Sequence, residues 1–369
     1  MKSPIVLVHD HLNQQGGAEK VVLALHGVFP ESDLFTLVYD RDKVDTAFQK
    51  IPITDSFIGR IPFGGRFFKW FLVLMPRAVE SFDMPEKSVI VSSASSFAKG
   101  VKKKDDASIH ICYCHTPTRY LWSHADEYRD ELSVPRFVKM ILPPVIRALR
   151  VWDISAVRNV DHFIANSEVV AARIKKYYDR DATVIYPPVE TDLFSVSEEV
   201  DDYFVIVSRF RPYKRVDLVI KAFNKLGMRL KVIGSGEEER RLKKIAKSKN
   251  IEFLGPISDV EKAKVLSRAR ALIHPQDEDF GITAVEAMAS GRPVIAYRSG
   301  GVLETVREGV TGIFFNDQSW EALTEAVIRF DHTQFDPQVI RSHAEVYDTK
   351  HFKQAIRSYV DGIRNDSKV

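Results

Sequence analysis

The sequence predicts an α/β chain built from two parallel-sheet domains, and three observations predict it. The first is length: 369 residues exceed the span of one ordinary hydrophobic core, and 45% hydrophobic content can fill two. The second is alternation, because short apolar runs of strand length recur between helical stretches in both halves. The third is a restart. After the acidic stretch Ser195 to Asp202, the β-α alternation begins afresh at Tyr203 to Val207, which sets a boundary near Pro188 to Asp201. The expected domains are 1–188, 189–345 and a closing helix over 346–369 that crosses back to the first domain. Ligands of open parallel sheets bind at the carboxyl ends of strands, so each strand-to-helix loop is a candidate site.

In the first half, Ile5 to His9 reads as a strand, the loop HDHLNQQGGAEK follows, and Val21 to His26 reads as a helix. A strand, a glycine-bearing loop and a helix start together form an anion site, with Gly16 and Gly17 admitting close backbone approach. His9 and Asp10 at the same strand end are second-rank acceptor contacts or caps. Ile58 to Arg77 carries Arg60, Arg66, Lys69 and Arg77 among Phe63, Phe67, Phe68, Trp70 and Phe71, without an acid. Arg136 to Arg150 repeats that character around Phe137, Met140, Ile141 and Leu142, and Lys99 to Lys104 adds a basic run. These stretches read either as surfaces lying on an anionic membrane or as core-facing helices with solvated cations.

Ala107 to Cys114 reads as a strand, with His110, Cys112 and Cys114 on one side and Tyr113 and His115 on the other. The two cysteines are the only ones in the chain, lack metal-ligand spacing with a second Cys/His pair, and are expected to pack in the core. His115 falls at the strand end, and Pro117 prevents an immediate helix. Val160 to Ala165 is the next strand, with Ser167 as N-cap of the helix Glu168 to Tyr178. Thr183 to Tyr186 follows, and Pro187-Pro188 breaks it.

In the second half, Tyr203 to Val207 leads into Ser208-Arg209-Phe-Arg-Pro-Tyr-Lys214-Arg215 and a helix over Val216 to Leu226. Arg209 and Lys214, five residues apart in one loop, suit a diphosphate, the arginine as a fork and the lysine as a point charge. Arg211 and Arg215 are spare charges. Leu230 to Ile233 and Gly234-Ser-Gly236 come next, but Glu239 stands where a dinucleotide fingerprint needs a small residue, which argues against an oxidoreductase. Ile251 to Leu254 and the loop Gly255-Pro-Ile257-Ser precede the strand ending at Ile273.

The stretch HPQDEDFGITAVEAMASGRPVIAYRSGG, His274 to Gly301, then brings Glu278 in a loop and Glu286 in the expected first turn of a helix over Ile282 to Ser290. Gly281 and Ile282 open that helix, whose N-terminus attracts phosphate. Gly291 and Pro293 stop it. Thr283-Ala-Val-Glu286 also fits a capping box, in which Glu286 only secures the helix start. Gly300 and Gly301 end the next strand and offer further N–H donors. Gln338 to Ile363 reads as helix.

Two glutamates with seven residues between them around Phe280-Gly281, followed by Gly291-Arg-Pro-Val294, resemble the retaining glycosyltransferases of family 4, whose fold is GT-B. The resemblance covers nearly the whole chain and is strongest over 203–315. It implies two Rossmann-like domains facing across a cleft and hexose transfer from a nucleotide diphosphate sugar with retained configuration. It implies that His115 positions the sugar, that Arg209 and Lys214 meet the leaving diphosphate, and that Glu278 binds sugar hydroxyls. Glu286 then binds the ribose, and Gly16, Gly17, Gly234, Phe280, Gly281, Ile282 and Gly300 line the donor, with Ile257 touching the base through its backbone. The run CHTPTRYLW and the segment YPPVE resemble bacterial surface-polysaccharide mannosyltransferases, so GDP-mannose is the expected donor, with UDP-glucose as the alternative. Pro187-Pro188-Val189-Glu190 departs from the family's Pro-Asn-Gly-Val-Asp, which removes any expected ligand role there. The rival readings are a catalytically silent nucleotide-sugar-binding protein and a nucleotide-sugar epimerase of the same fold.

The charge balance excludes little and names no polyanion: a net charge of +3 gives no case for nucleic acid. The resemblance implies that no metal or other cofactor is required. The absence of a secretory leader and of an eighteen-residue apolar run predicts a cytoplasmic protein, peripheral on the inner face of the plasma membrane if the basic aromatic stretches bind lipid. The expected acceptor is a glycan or a lipid-linked glycan.

Overall fold

The structure is a computed structural model that describes residues 3–61, 71–122 and 136–366. It divides into two compact units, residues 1–188 with 352–369, and residues 189–351.

The first unit holds a seven-stranded, all-parallel sheet in the order β3-β2-β1-β4-β5-β6-β7. Its strands are β1 (Ile5–His9), β2 (Asp33–Thr36), β3 (Ile53–Asp55), β4 (Val89–Ala94), β5 (Ile109–Cys114), β6 (His162–Ala165) and β7 (Ala182–Val184). Strands β4 and β5 are buried along their whole length, as parallel strands covered on both faces are. One face packs Cys112, Cys114, Phe163 and Ile174 into a core, the other Leu7, Val91, Ile111 and Tyr113. The period of two thus divides β5 as expected, and both cysteines are free and buried. Helix α1 (Gly17–Val28) covers the second face together with Phe352, Ile356 and Val360 of the C-terminal helix. Helices α2 (Arg136–Val157) and α3 (Glu168–Tyr178) follow, the latter capped by the Ser167 hydroxyl on the Val170 N–H.

The second unit holds a six-stranded, all-parallel sheet in the order β10-β9-β8-β11-β12-β13. These strands are β8 (Phe204–Val207), β9 (Leu230–Ile233), β10 (Ile251–Gly255), β11 (Leu272–His274), β12 (Val294–Tyr297) and β13 (Gly312–Phe315). Three crossover helices matter below: α4 (Val216–Leu226), α5 (Asp259–Arg268) and α6 (Ile282–Ala289). The expected continuous C-terminal helix is two, α7 (Pro337–Ala344) and α8 (Thr349–Asp366), parted by a tight turn over Glu345–Tyr347. The Tyr347 carbonyl at that turn accepts from Val189, and Thr349 donates to Val189 in return.

Of the three basic stretches, only Lys99 to Lys104 lies wholly within the described residues. Lys99 is buried against Asp153, Lys102 pairs with Glu80 at 2.9 Å, Lys103 with Asp161 at 2.9 Å, and Lys104 with Asp83. Residues 99–104 are therefore tied to acids of their own unit and make no free cationic surface. Phe63, Arg66, Phe67, Phe68, Lys69 and Trp70, and the side chains of Arg136, Phe137, Met140 and Ile141, lie outside the described residues. Among the described residues, no helix is long and apolar enough to cross a membrane.

Candidate functional site

Each sheet reverses its strand order once. In the second unit the sequence-consecutive strands run outward from β8 on one side and from β11 on the other, so the crevice opens where the loops after β8 and β11 separate. The loop after β8 closes in a 3-10 turn, Pro212–Lys214, and the next residue, Arg215, takes a left-handed conformation (φ 53°) before α4 begins. This turn projects Lys214 across the switch point, where its ammonium meets Oε1 of Glu278. Both side chains keep some solvent access, 14% and 22%. Gln276 donates to the same Oε1 at 3.3 Å. Its neighbours are already engaged, since Arg211 pairs with Glu237 and Arg215 with Gln318 at 2.7 Å. Arg209 lies exposed on the same loop.

The loop after β12 is stitched to the Glu278 loop. The Gly301 N–H donates to the Glu278 carbonyl at 2.7 Å, and Glu278 and Gly300 form a parallel bridge. A Cβ at Gly300 (φ 74°) would stand 2.3 Å from that carbonyl, so only glycine lets the two loops meet. Gly281 precedes Ile282 as the N-cap of α6, and no side chain caps this helix. The Ala284 N–H turns back to the Gly281 carbonyl at 2.9 Å, and the N–H groups of Ile282 and Thr283 ahead of it point out of the helix start, where an anion is favoured. Gly234 has a structural reason as well, because a Cβ there would sit 1.8 Å from the Ser208 carbonyl. Phe280 turns its ring inward against Tyr347, with centroids 5.5 Å apart, leaving its main chain to the loop. His274 is buried, and burial, aided by the Lys214 cation, pulls its pKa to about 3, so it is neutral.

Glu286 departs from both sequence readings. Because Gly281 starts the helix at Ile282, Glu286 is the fifth helical residue and lies in the second turn, and Thr283 caps nothing. The carboxylate is buried, 3% exposed, and Oε1 meets the Lys262 ammonium at 2.8 Å while Oε2 has no hydrogen-bond partner among the described residues. Lys262 also reaches Asp259 at 2.8 Å. A capping box of Ser258 with Glu261 starts α5 just before Lys262, which fixes the lysine's rotation toward α6. Ile257 lies half-buried on the loop entering the same helix. Sequence reasoning missed Lys262, although Ser258-x-x-Glu261 announces the helix start that places it.

In the first unit the order reverses between β1 and β4. Asp10, at the end of β1, spends both carboxylate oxygens on the main-chain N–H groups of Ser95, Ser96, Phe97 and Ala98 at 2.6 to 2.8 Å. It is a clamp on the loop after β4 and not an acceptor contact. His115, half-buried at the end of β5, receives or gives a 2.8 Å hydrogen bond at Nε2 with the Ser93 hydroxyl. His9 approaches the same serine from β1. Gly16 takes an extended conformation just before α1, and Gly17 opens that helix. Glu19 on its first turn is buried and accepts from Gln14 at 3.0 Å.

Thus Lys214, Glu278, Gly281, Ile282 and Gly300 gather at one switch point, with the Glu286–Lys262 pair one turn along α6. His115, Gly16 and Gly17 lie at the carboxyl end of the other sheet. Fixed cations beside an uncapped helix start can hold a diphosphate, and a one-sided buried carboxylate can accept from a diol.

Comparison with known proteins identifies the family and the fold. Residues 190–346 match the family model described as glycosyl transferases group 1, and residues 15–193 match that of glycosyltransferase family 4. An uncharacterized glycosyltransferase of Methanocaldococcus jannaschii is 29% identical over 210 residues, 54% of this chain and 59% of that protein. A D-inositol 3-phosphate glycosyltransferase of Mycobacterium bovis is 30% identical over 187 residues, 44% of this chain and 39% of that protein. The matched region thus spans between two fifths and three fifths of these relatives' lengths. Among solved structures, Anabaena HepE in complex with UDP superposes with a TM-score of 0.71 at 17% identity, covering 98% of this chain and 100% of that one. The same protein is also solved in complex with UDP-glucose.

Proposed function

Both halves of this chain are glycosyltransferase domains carried on a GT-B fold, and from that premise we propose that it is a retaining glycosyltransferase moving a hexose from a nucleotide diphosphate sugar to a glycan or lipid-linked acceptor. The observation that carries the reading is the Lys214–Glu278 pair at the switch point of the second sheet, beside the uncapped start of α6.

The roles follow from charge. As the bond from the anomeric carbon to the diphosphate lengthens, negative charge grows on the leaving oxygen. Lys214 and Arg209 neutralise it, helped by the N–H groups at Gly281, Ile282 and Gly300. Glu278, once Lys214 turns to the phosphate, accepts from sugar hydroxyls. Glu286 accepts from the ribose diol through Oε2, and Ile257 meets the base. His115 positions the sugar and stabilises the developing oxocarbenium ion, with Gly16 and Gly17 as backbone donors of the first unit. The acceptor attacks the face the diphosphate leaves, and its proton passes to the departing phosphate, so no protein nucleophile is used. A metal is not part of the scheme, and a chelator is expected to leave the rate unchanged.

Mannose from GDP-mannose is the preferred donor, on the likeness of CHTPTRYLW and YPPVE. UDP-glucose is the second reading, favoured by the HepE complex. Release of nucleoside diphosphate from each donor, with and without acceptor, tests both. Acceptor-dependent release supports transfer. Interconversion of donor sugars without acceptor indicates an epimerase, and binding with no release indicates a silent binding protein. Attachment to the inner face of the plasma membrane is proposed from exposed Val73 and Leu74 within the basic stretch Ile58 to Arg77. Co-sedimentation with anionic but not neutral vesicles tests it.

A further inference from the structure

We propose that Ser93 and His9 are positioning residues for His115, forming a three-strand relay that holds its Nε2 as a bare acceptor and leaves the ring proton on Nδ1. The proposal rests on the assignment of His115 to the sugar site.

The three residues come from three adjacent strands at the switch point of the first sheet. His9 and Ser93 are register partners of β1 and β4, and the His115 main-chain N–H donates to the Ala94 carbonyl at 2.8 Å. Nδ1 of His9 lies 3.0 Å from the Ser93 carbonyl, an atom that only accepts, so this nitrogen carries a proton. The same Nδ1 lies 3.2 Å from the Ser93 hydroxyl oxygen and directs its N–H toward that oxygen's lone pairs. The hydroxyl proton is then left to point the other way, at Nε2 of His115, 2.8 Å distant. A donated hydroxyl requires a bare Nε2, which leaves Nδ1 as the ring nitrogen that carries a proton. His9 and Ser93 are both buried, at 2% and 1% exposure, so water does not compete for these bonds. The ring is also held edge-on by Tyr113, with centroids 5.3 Å apart. A core histidine needs none of this. A half-exposed imidazole whose Nε2 is held by a buried hydroxyl has its orientation and tautomer set from beneath.

The test is nitrogen NMR of the full chain labelled at histidine rings, near neutral pH, where bare and protonated ring nitrogens resonate far apart. The His115 signals are identified by their loss in His115→Gln. In the unaltered protein His115 is expected to show a bare Nε2 and a protonated Nδ1. Ser93→Ala is expected to yield a mixture of tautomers and to lower kcat about tenfold, the worth of one such bond, with donor KM within about twofold. His9→Asn, whose amide nitrogen replaces Nδ1, is expected to keep the original pattern, and His9→Ala to lose it. A protonated Nε2 in the unaltered chain, or a pattern indifferent to Ser93→Ala, overturns the relay. Should Ser93→Ala fail to fold, the contrast between His9→Asn and His9→Ala decides in the same way. If the spectra respond as expected but no donor is turned over, the relay stands and the proposed function fails.

Discussion

The Lys262 ammonium sits 2.8 Å from Oε1 of Glu286 while the buried Oε2 of that carboxylate has no hydrogen-bond partner among the described residues. One oxygen is held by a cation and the other is kept in reserve. Removing the lysine strands a buried anion, which costs about 3–5 kcal/mol in comparable pairs. Lys262→Ala is therefore expected to destabilise the second unit by about that amount and to weaken donor binding. Adding Glu286→Ala to it is expected to restore most of the stability but none of the binding. Urea unfolding with a donor-binding titration checks both, and additive losses in the double variant would refute the pair.

The Lys214–Glu278 pair behaves differently because it keeps access to solvent. Breaking it is expected to cost less stability than breaking the Lys262–Glu286 pair, whose carboxylate is 4% exposed. Its chemical role is large in the proposed scheme, since Lys214 is the cation assigned to the leaving diphosphate. Lys214→Ala is expected to reduce kcat by about two to three orders of magnitude with an unchanged melting temperature. Near-normal turnover in Lys214→Ala would remove the diphosphate assignment.

Much of this was legible in the sequence, and the exceptions share a cause. The two-sheet fold and the positions of Lys214, Glu278 and Gly300 follow from local signals: strand ends, loop glycines and a cation pair in one loop. Glu286 was found but misplaced by a turn, because the left-handed Gly281 that starts the helix at Ile282 is a tertiary choice. Lys262 and Ser93 were missed because each acts through a residue distant in sequence. The pairing of the lysine run 99–104 was missed for the same reason, since the acids that meet it lie on other elements. Local pattern reports what a loop can do; it does not report which side chain arrives from the next strand.

Acid sensitivity is expected in the first unit. His110 is buried with Nε2 2.8 Å from the Ser92 hydroxyl, and burial pulls its pKa from 6.5 to about 4 against the raising influence of Asp161. His11 is shifted to about 4 by burial as well. Between these values the unfolded chain binds a proton that the folded one refuses, so stability falls as pH drops from 6.5 to about 4 and is unaffected above. Each histidine contributes about 3 kcal/mol at the acid end of that window. His110→Gln, which keeps a partner for Ser92 without a titrating ring, is expected to flatten this decline. Hydrogen exchange of β5 amides across the window measures it, and an unchanged slope in the variant would count against the assignment.

Lys99 and Asp153 form an ion pair at 2.8 Å with side chains 1% and 0% exposed. Burial alone would lower the lysine's pKa, but Asp153 more than offsets it and holds the pKa above the ordinary value. The pair is also the anchor of the loop that carries His115. Lys99 donates to the Thr118 hydroxyl at 2.9 Å and to the Ser96 carbonyl, while Asp153 accepts from the Trp122 indole and the Tyr178 hydroxyl, each at 2.8 Å. Thr118 and Trp122 belong to the run CHTPTRYLW, so two of its residues are accounted for by a buried acid on α2 and not by a ligand. Lys99→Met is expected to cost about 3–5 kcal/mol by leaving Asp153 charged and alone. In Lys99→Met with Asp153→Asn the amide oxygen still serves the indole and the phenol without a charge, so about half or more of that loss is expected to return. Because the anchor lies beneath the His115 loop, activity in the single variant is expected to fall at temperatures where the fold is still intact, and to recover with stability in the double. Chemical unfolding and turnover measured together on both variants decide the matter. Recovery of stability without recovery of rate would show that the pair holds up the core alone and leaves the seating of His115 to Ser93.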